Sequence, residues 1–164
     1  MSGNLQGKTP RESRVDMAEH VFPNDTNPHG TIFGGRVMAL IDIAASIAAT
    51  RHCRRAVVTA SMDEIVFHSP VKMGHVLLLE AQVNEAFKTS MEIGVKVMSE
   101  NPITGERRHT TTAYATFVAL DDLGLPTRVP PLLPESDEER IRQAAAQKRK
   151  AERTARRETQ RTEA

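Results

Sequence analysis

The sequence predicts an α+β domain in which an antiparallel sheet of about five strands curls around one long helix. Three observations carry this. The run Val37 to Ala49, "VMALIDIAASIAA", holds a single charge, Asp42, and Ser46 as its only other polar side chain; a helix that is apolar all round is wrapped by other elements. Four segments after it are rich in β-branched residues or alternate in polarity, with no second helical pattern among them. One strand-like segment precedes the helix. Segregating one helix from a run of strands is the α+β pattern.

A polar leader, "MSGNLQGKTPRESR", opens the chain; residues 1–11 are expected to be flexible, and nothing in them has the apolar stretch of a secretion signal. "VDMAEHVF" is the first strand. "PNDTNPHGTIFGG" is crowded with Pro, Asn, Asp and Gly, the composition of a loop that needs turns and positive backbone dihedrals. The helix follows and is expected to end near "RHCRR", where cations suit a helix C-terminus. The strands are then "AVVTASMDEIVF", "HVLLLEAQVNEAF", "SMEIGVKVMSE" and "RRHTTTAYATFVALD". In the third of these Met91, Ile93, Val95 and Val97 share one side while Glu92 and Lys96 face the other. "NPITGE" supplies the reversal for a hairpin between the last two. One helix cannot cover such a sheet completely, so an edge or face is expected to pair with a second copy, giving at least a dimer.

"VPPLLP" closes a domain spanning 12–134. The tail, 135–164, starts with a capping-box pattern at Ser136 and Glu139 and places acids early and bases late, which favours a helix. Ile141 is its only large apolar residue, so a solvated or frayed charged helix is expected. With nine basic and seven acidic residues in that tail, and a net charge of +1 overall, the rest of the chain is nearly neutral and gives no electrostatic case for nucleic acid or a membrane surface. The single cysteine, Cys53, excludes an intrachain disulfide framework, and no Cys/His spacing suggests a metal. The apolar run is too short to span a bilayer. A cytoplasmic protein is expected.

A carboxylate removed from water must be paired, hydrogen-bonded or protonated, so Asp42 is either structural or functional. Its neighbours favour function. Gly34 and Gly35 stand at the helix start, where first-turn N–H groups lack intrahelical partners and favour negative charge. Asn27 lies just upstream and both donates and accepts. A base, a polar orienter and an oxyanion site are the parts needed for water to attack an activated acyl group, with the parts supplied by one chain or by two. His20, His29 and His68 form no metal spacing, and neither Ser46 nor Ser61 sits in a nucleophile-elbow sequence.

"NDTNPHGTIFGGRVMALID", "RHCRRAVVTASMDEIVFHSP" and "VMSENPITGERR" together resemble the hotdog-fold acyl-CoA thioesterases, in particular the bacterial enzymes and the brain-type cytosolic acyl-CoA hydrolases. The resemblance covers 12–134, and the charged tail is similar to the helical extension that follows such domains. It implies a hotdog fold, an acyl-CoA substrate, and a homodimer assembling further into a trimer of dimers. It places the catalytic pair on Asn27 and Asp42, with two equivalent sites per dimer, and needs no cofactor beyond coenzyme A carried as substrate or product. A backbone N–H at Gly34 or Gly35 would hold the oxyanion. The pantetheine arm would lie along Thr59, Ala60 and Ser61, and Arg54, Arg55, Lys88, Arg107 and Arg108 are candidates for the phosphates. Ser90 is added by the resemblance alone. Met38, Ile41 and Phe67 would line the acyl tunnel. A hotdog hydratase or dehydratase and a non-catalytic acyl-CoA sensor are the alternatives, and the tail leaves open an interaction module for an acidic partner.

Overall fold

The computed structural model describes residues 5–162. Its elements are α1 (Pro10–Ser13), β1 (Val15–His20), α2 (Gly34–Cys53), β2 (Ala56–Met62), β3 (Val76–Ala86), β4 (Ser90–Glu100), β5 (Arg107–Leu120) and α3 (Asp137–Thr162). The strands form one antiparallel sheet in the order β1-β3-β4-β5-β2, so β1 and β2 are its edges. The sheet curls around α2, as the hydrophobic pattern predicts.

The core forms where the apolar stripe of α2 meets the inner sheet face. Val37, Leu40, Ile41, Ala44, Ala45 and Ala48 are buried, and so are Met91, Ile93, Val95 and Val97 of β4. The alanines let the strands approach the helix closely, while period-two alternation keeps one strand face turned inward. Basic residues Arg51 and His52 occupy the last turn of α2, and Arg54 ends it in the left-handed region at φ 52°.

Four expectations are corrected. First, α2 is not wrapped on every side within the chain: Met38 (43% exposed), Ile43 (46%) and Ile47 stand open along the stripe that carries Asp42, because the sheet covers only the opposite side. Asp42 is half-buried rather than buried. Second, β2 stops at Met62 instead of Phe67. Beyond it Asp63 N–H still donates to Tyr114 O and His68 N–H to Thr110 O, but the Val66 carbonyl takes the Thr111 hydroxyl at 2.8 Å instead of a backbone donor, which breaks the ladder.

Third, the leader is held from Lys8 onward, unlike the flexible segment expected over 1–11. Lys8 pairs with the segment around Leu132, and the buried Ser13 hydroxyl accepts from Val83 N–H at 2.9 Å. Residues 1–4 lie outside the described residues.

Fourth, α3 is not a solvated appendage. It lies on the outer sheet face, with its capping box formed between Ser136 and Glu139. Only Ala146 is buried in it, and Ile141 is exposed. Docking is polar: Gln143 and Gln147 donate to Glu85, while Arg149 and Arg153 reach Glu92. Glu92 does point away from the α2 side, but it is fully buried beneath this helix. Gly94 clears room beside it, since a Cβ there would come within 2.6 Å of Asn84 Nδ2.

Candidate active site

Asp42 projects from the middle of α2 toward the bulged part of β2. Its Oδ1 accepts from Thr59 Oγ1 at 2.8 Å. β2 shifts register between Thr59 and Ser61, leaving Ala60 as the extra residue. A bulge re-aims side chains, and here it presents Thr59 to the carboxylate on an exposed stretch of strand.

Asn27 anchors the loop before the helix. Its Oδ1 accepts from His29 N–H at 2.9 Å and from Thr31 N–H, its Nδ2 meets Thr31 Oγ1 at 3.0 Å, and its carbonyl accepts from Gly30 N–H. These bonds make Asn27 the organising residue of an Asx-type turn. Phe33 precedes α2 as its N-cap with no side-chain cap; the Arg36 N–H donates to the Phe33 carbonyl, so the N–H groups of Gly34 and Gly35 are the ones left for another acceptor. The two glycines differ in what surrounds them. A Cβ on Gly34 would meet the Phe67 ring at 3.2 Å, whereas one on Gly35 would meet nothing within 4 Å.

Among the described residues, no hydrogen bond joins Asn27 to Asp42. Gly34 and Asp42 are eight residues apart in one helix, which places them about 12 Å apart along its axis.

The basic candidates separate into two groups. Arg54, Arg55, Lys88 and Ser90 lie at the end of the sheet where β2 and β4 begin and β5 finishes. Arg107 and Arg108 lie at the other end, on the β4–β5 hairpin, paired with Glu100 and Glu106. Of the tunnel candidates, Met38 and Phe67 are exposed beside the site, while Ile41 is fully buried in the core and cannot line an open channel.

Two features escape the sequence reading. His52 is fully buried, with Nε2 2.8 Å from Pro130 O and no partner at Nδ1; burial holds its pKa below the ordinary imidazole value, against the opposing effect of the Pro130 carbonyl. The second is the Glu92, Arg149, Arg153 and Asp63 network under α3. Its trace in the sequence is the small-residue run Ala144 to Ala146 with Arg149 and Arg153 at four-residue spacing. The grooves beside α3, of about 390 and about 450 Å³, are lined by neither Asp42 nor Asn27; they are gaps left by the docked helix.

The described residues contain no cluster of three or more His, Cys, Asp or Glu suited to a metal, and no helix long and apolar enough to cross a membrane.

The sequence profile of the thioesterase superfamily matches residues 29–106. The Bacillus subtilis protein named uncharacterized acyl-CoA thioester hydrolase YkhA is 49% identical over 129 residues, 79% of this chain and 75% of that one. An acyl-CoA hydrolase of Staphylococcus aureus, solved in complex with butyryl coenzyme A, coenzyme A and coenzyme A disulfide, superposes with a TM-score of 0.87 at 41% identity, covering 94% of this chain and 95% of that chain. An apo hexameric acyl-CoA thioesterase gives 0.89 at 43% identity, covering 93% and 97%. The Staphylococcus enzyme has also been solved with an aspartate, an asparagine or a threonine individually changed to alanine.

Proposed function

The chain belongs to the thioesterase superfamily, in the company of acyl-CoA hydrolases, and from that premise we propose that it hydrolyses acyl-CoA to a free fatty acid and coenzyme A at sites shared between two copies. The observation that carries the mechanism is the Thr59 to Asp42 hydrogen bond on the open side of α2. Asp42 takes a proton from water, and the resulting hydroxide attacks the thioester carbonyl. The oxyanion is met by N–H groups at Gly34 or Gly35. Its collapse breaks the carbon–sulfur bond, and the coenzyme A thiolate leaves and is protonated. Asn27 orients the water or the acyl group. No cofactor is required by these steps.

Distance argues for two chains. A base, its water and an oxyanion donor share one reacting carbon with contacts of about 3 Å each, which the separation of about 12 Å between Gly34 and Asp42 does not allow within one helix. A partner that brings its own loop and helix start opposite Asp42 closes the gap. The exposed stripe of Met38, Ile43 and Ile47 and the open edge of β2 are the surface for it. Further assembly into a trimer of dimers accords with the hexameric relative. Pantetheine lies along Thr59, Ala60 and Ser61. The phosphates fall to one of the two basic groups, Arg54, Arg55 and Lys88 or Arg107 and Arg108.

A hydratase or dehydratase is disfavoured because the residue bonded to Asp42 is a threonine hydroxyl and not an imidazole. The test is thiol release from acetyl- to palmitoyl-CoA by wild type and Asp42→Asn. Turnover that nearly vanishes in a folded variant supports the base; binding of coenzyme A with no turnover by either protein makes it a sensor. Mixing inactive Asn27→Ala and Asp42→Asn proteins under subunit exchange then reads the sharing. Partial recovery supports it, and no recovery with exchange demonstrated places both residues in one chain's site.

A further inference from the structure

We propose that Arg153 of α3 is a positioning residue that fixes the end of β2, and with it the placement of Thr59 against Asp42. β2 is an edge strand, hydrogen-bonded within the chain to β5 alone, and its register is broken between Thr59 and Ser61. Beside this break the Ser61 and Thr116 hydroxyls are buried without partners. Within one chain, the β2–β5 ladder therefore restrains the strand least at the bulge, where the candidate site needs it most. Two side-chain contacts flank the bulge. On the inner face Thr59 Oγ1 donates to Asp42. On the outer face Arg153 Nη1 donates to Asp63 Oδ2 at 2.7 Å, one residue past the end of β2.

Arg153 can act as a fixed point because it is itself anchored. The same nitrogen lies 3.4 Å from Glu92 Oε2, and Glu92 is gripped by Arg149 through Nε and Nη2. The side chains of Arg153 and Asp63 are 15% and 23% exposed, so the pair is shielded from the solvent screening that weakens surface ion pairs. The Asp63 N–H also donates to Tyr114 O, which leaves Arg153 to hold the carboxylate end. A helix with almost no apolar surface of its own is thus tied to the strand that presents the threonine. This explains why its contacts are charged and directional rather than greasy.

The catalytic part of this inference rests on the thioesterase reading; the restraint on β2 does not, and the experiment separates them. Amide hydrogen exchange over residues 56–62 is compared in wild type, Arg153→Ala, Arg153→Lys and Asp63→Ala, the last leaving Glu92 with both of its arginines. Protection of β2 is expected to fall in both alanine variants and to recover in Arg153→Lys, with the opposite edge strand β1 unchanged. In parallel, kcat is expected to fall roughly 10- to 100-fold while KM stays within about twofold, and the double variant is expected to be no slower than either single one. Unchanged exchange overturns the restraint, even where wild type fails to turn over acyl-CoA and the functional reading itself falls. Lost protection with unchanged kcat, a change confined to KM, or losses that multiply in the double variant overturn the link to Thr59.

Discussion

The Glu92 carboxylate has no solvent exposure, and its Oε1 lies 2.6 Å from Arg149 Nη2 across the seam between sheet and α3. Arg149 also stacks over the Tyr114 ring, 3.6 Å from its centroid. Removing Arg149 takes away the nearest countercharge and leaves this buried carboxylate with only the longer contacts from Arg153 Nη1 at 3.4 Å and Asn84 Nδ2 at 3.3 Å, a poorly compensated buried charge.

Arg149→Ala should therefore cost about 3–5 kcal/mol in urea unfolding, against about 0.5 kcal/mol or less for Arg140→Ala in the same helix, whose pair with Asp137 is exposed. Replacing both members of the buried pair with apolar residues, as Glu92→Met with Arg149→Leu, should recover most of the loss. An Arg149→Ala variant as stable as wild type would mean that the buried Glu92–Arg149 pair contributes nothing to folding.

The two glycines at the start of α2 should respond differently to the same substitution. Gly34→Ala puts a methyl 3.2 Å from Phe67, and Gly35→Ala puts one into open space. Steady-state turnover of a short acyl-CoA should fall further in Gly34→Ala, and adding Phe67→Leu should relieve the crowding. Equal losses in both variants would show that the Phe67 contact is irrelevant and that helix-start geometry alone matters.

His52 gives the fold an acid-sensitive point. Burial lowers its pKa in the folded state, so between that value and the unfolded value of about 6.5 the unfolded chain binds more protons. Stability from this group is complete above about pH 6.5 and is lost as the pH falls toward the folded pKa. His52→Gln keeps a donor for Pro130 O but cannot titrate. Melting temperatures measured from about pH 7 down to about pH 5 should fall less steeply in this variant; an identical slope would assign the acid sensitivity to other groups.

Much of the fold is legible in the residues themselves. β4 starts and ends where its alternation says, and Met91, Ile93, Val95 and Val97 share the core face because a pleated strand turns alternate side chains to one side, while Glu92 on the other side is buried by α3. The loop is readable from its Pro, Asn and Gly content, and Asn27 proves to be its organising turn residue. The direction of Asp42 is less legible. An apolar helix carries no mark saying which of its apolar stripes the sheet will leave uncovered, and Ile43 and Ile47 look no different in the sequence from Leu40 and Ile41.

By itself the sequence determined the α+β class, the strand and helix order and the capping of α3, since each follows from local periodicity and residue type. The tertiary structure decided which groups meet. It joined Asp42 to Thr59 across 17 positions through a bulge, and Glu92 to Arg149 across 57 through the path of a helix over the sheet. The physical reason is that pairing of distant polar groups depends on chain path and register. A one-residue shift reverses a strand's faces, and no local pattern records how far along a sheet a returning helix will lie.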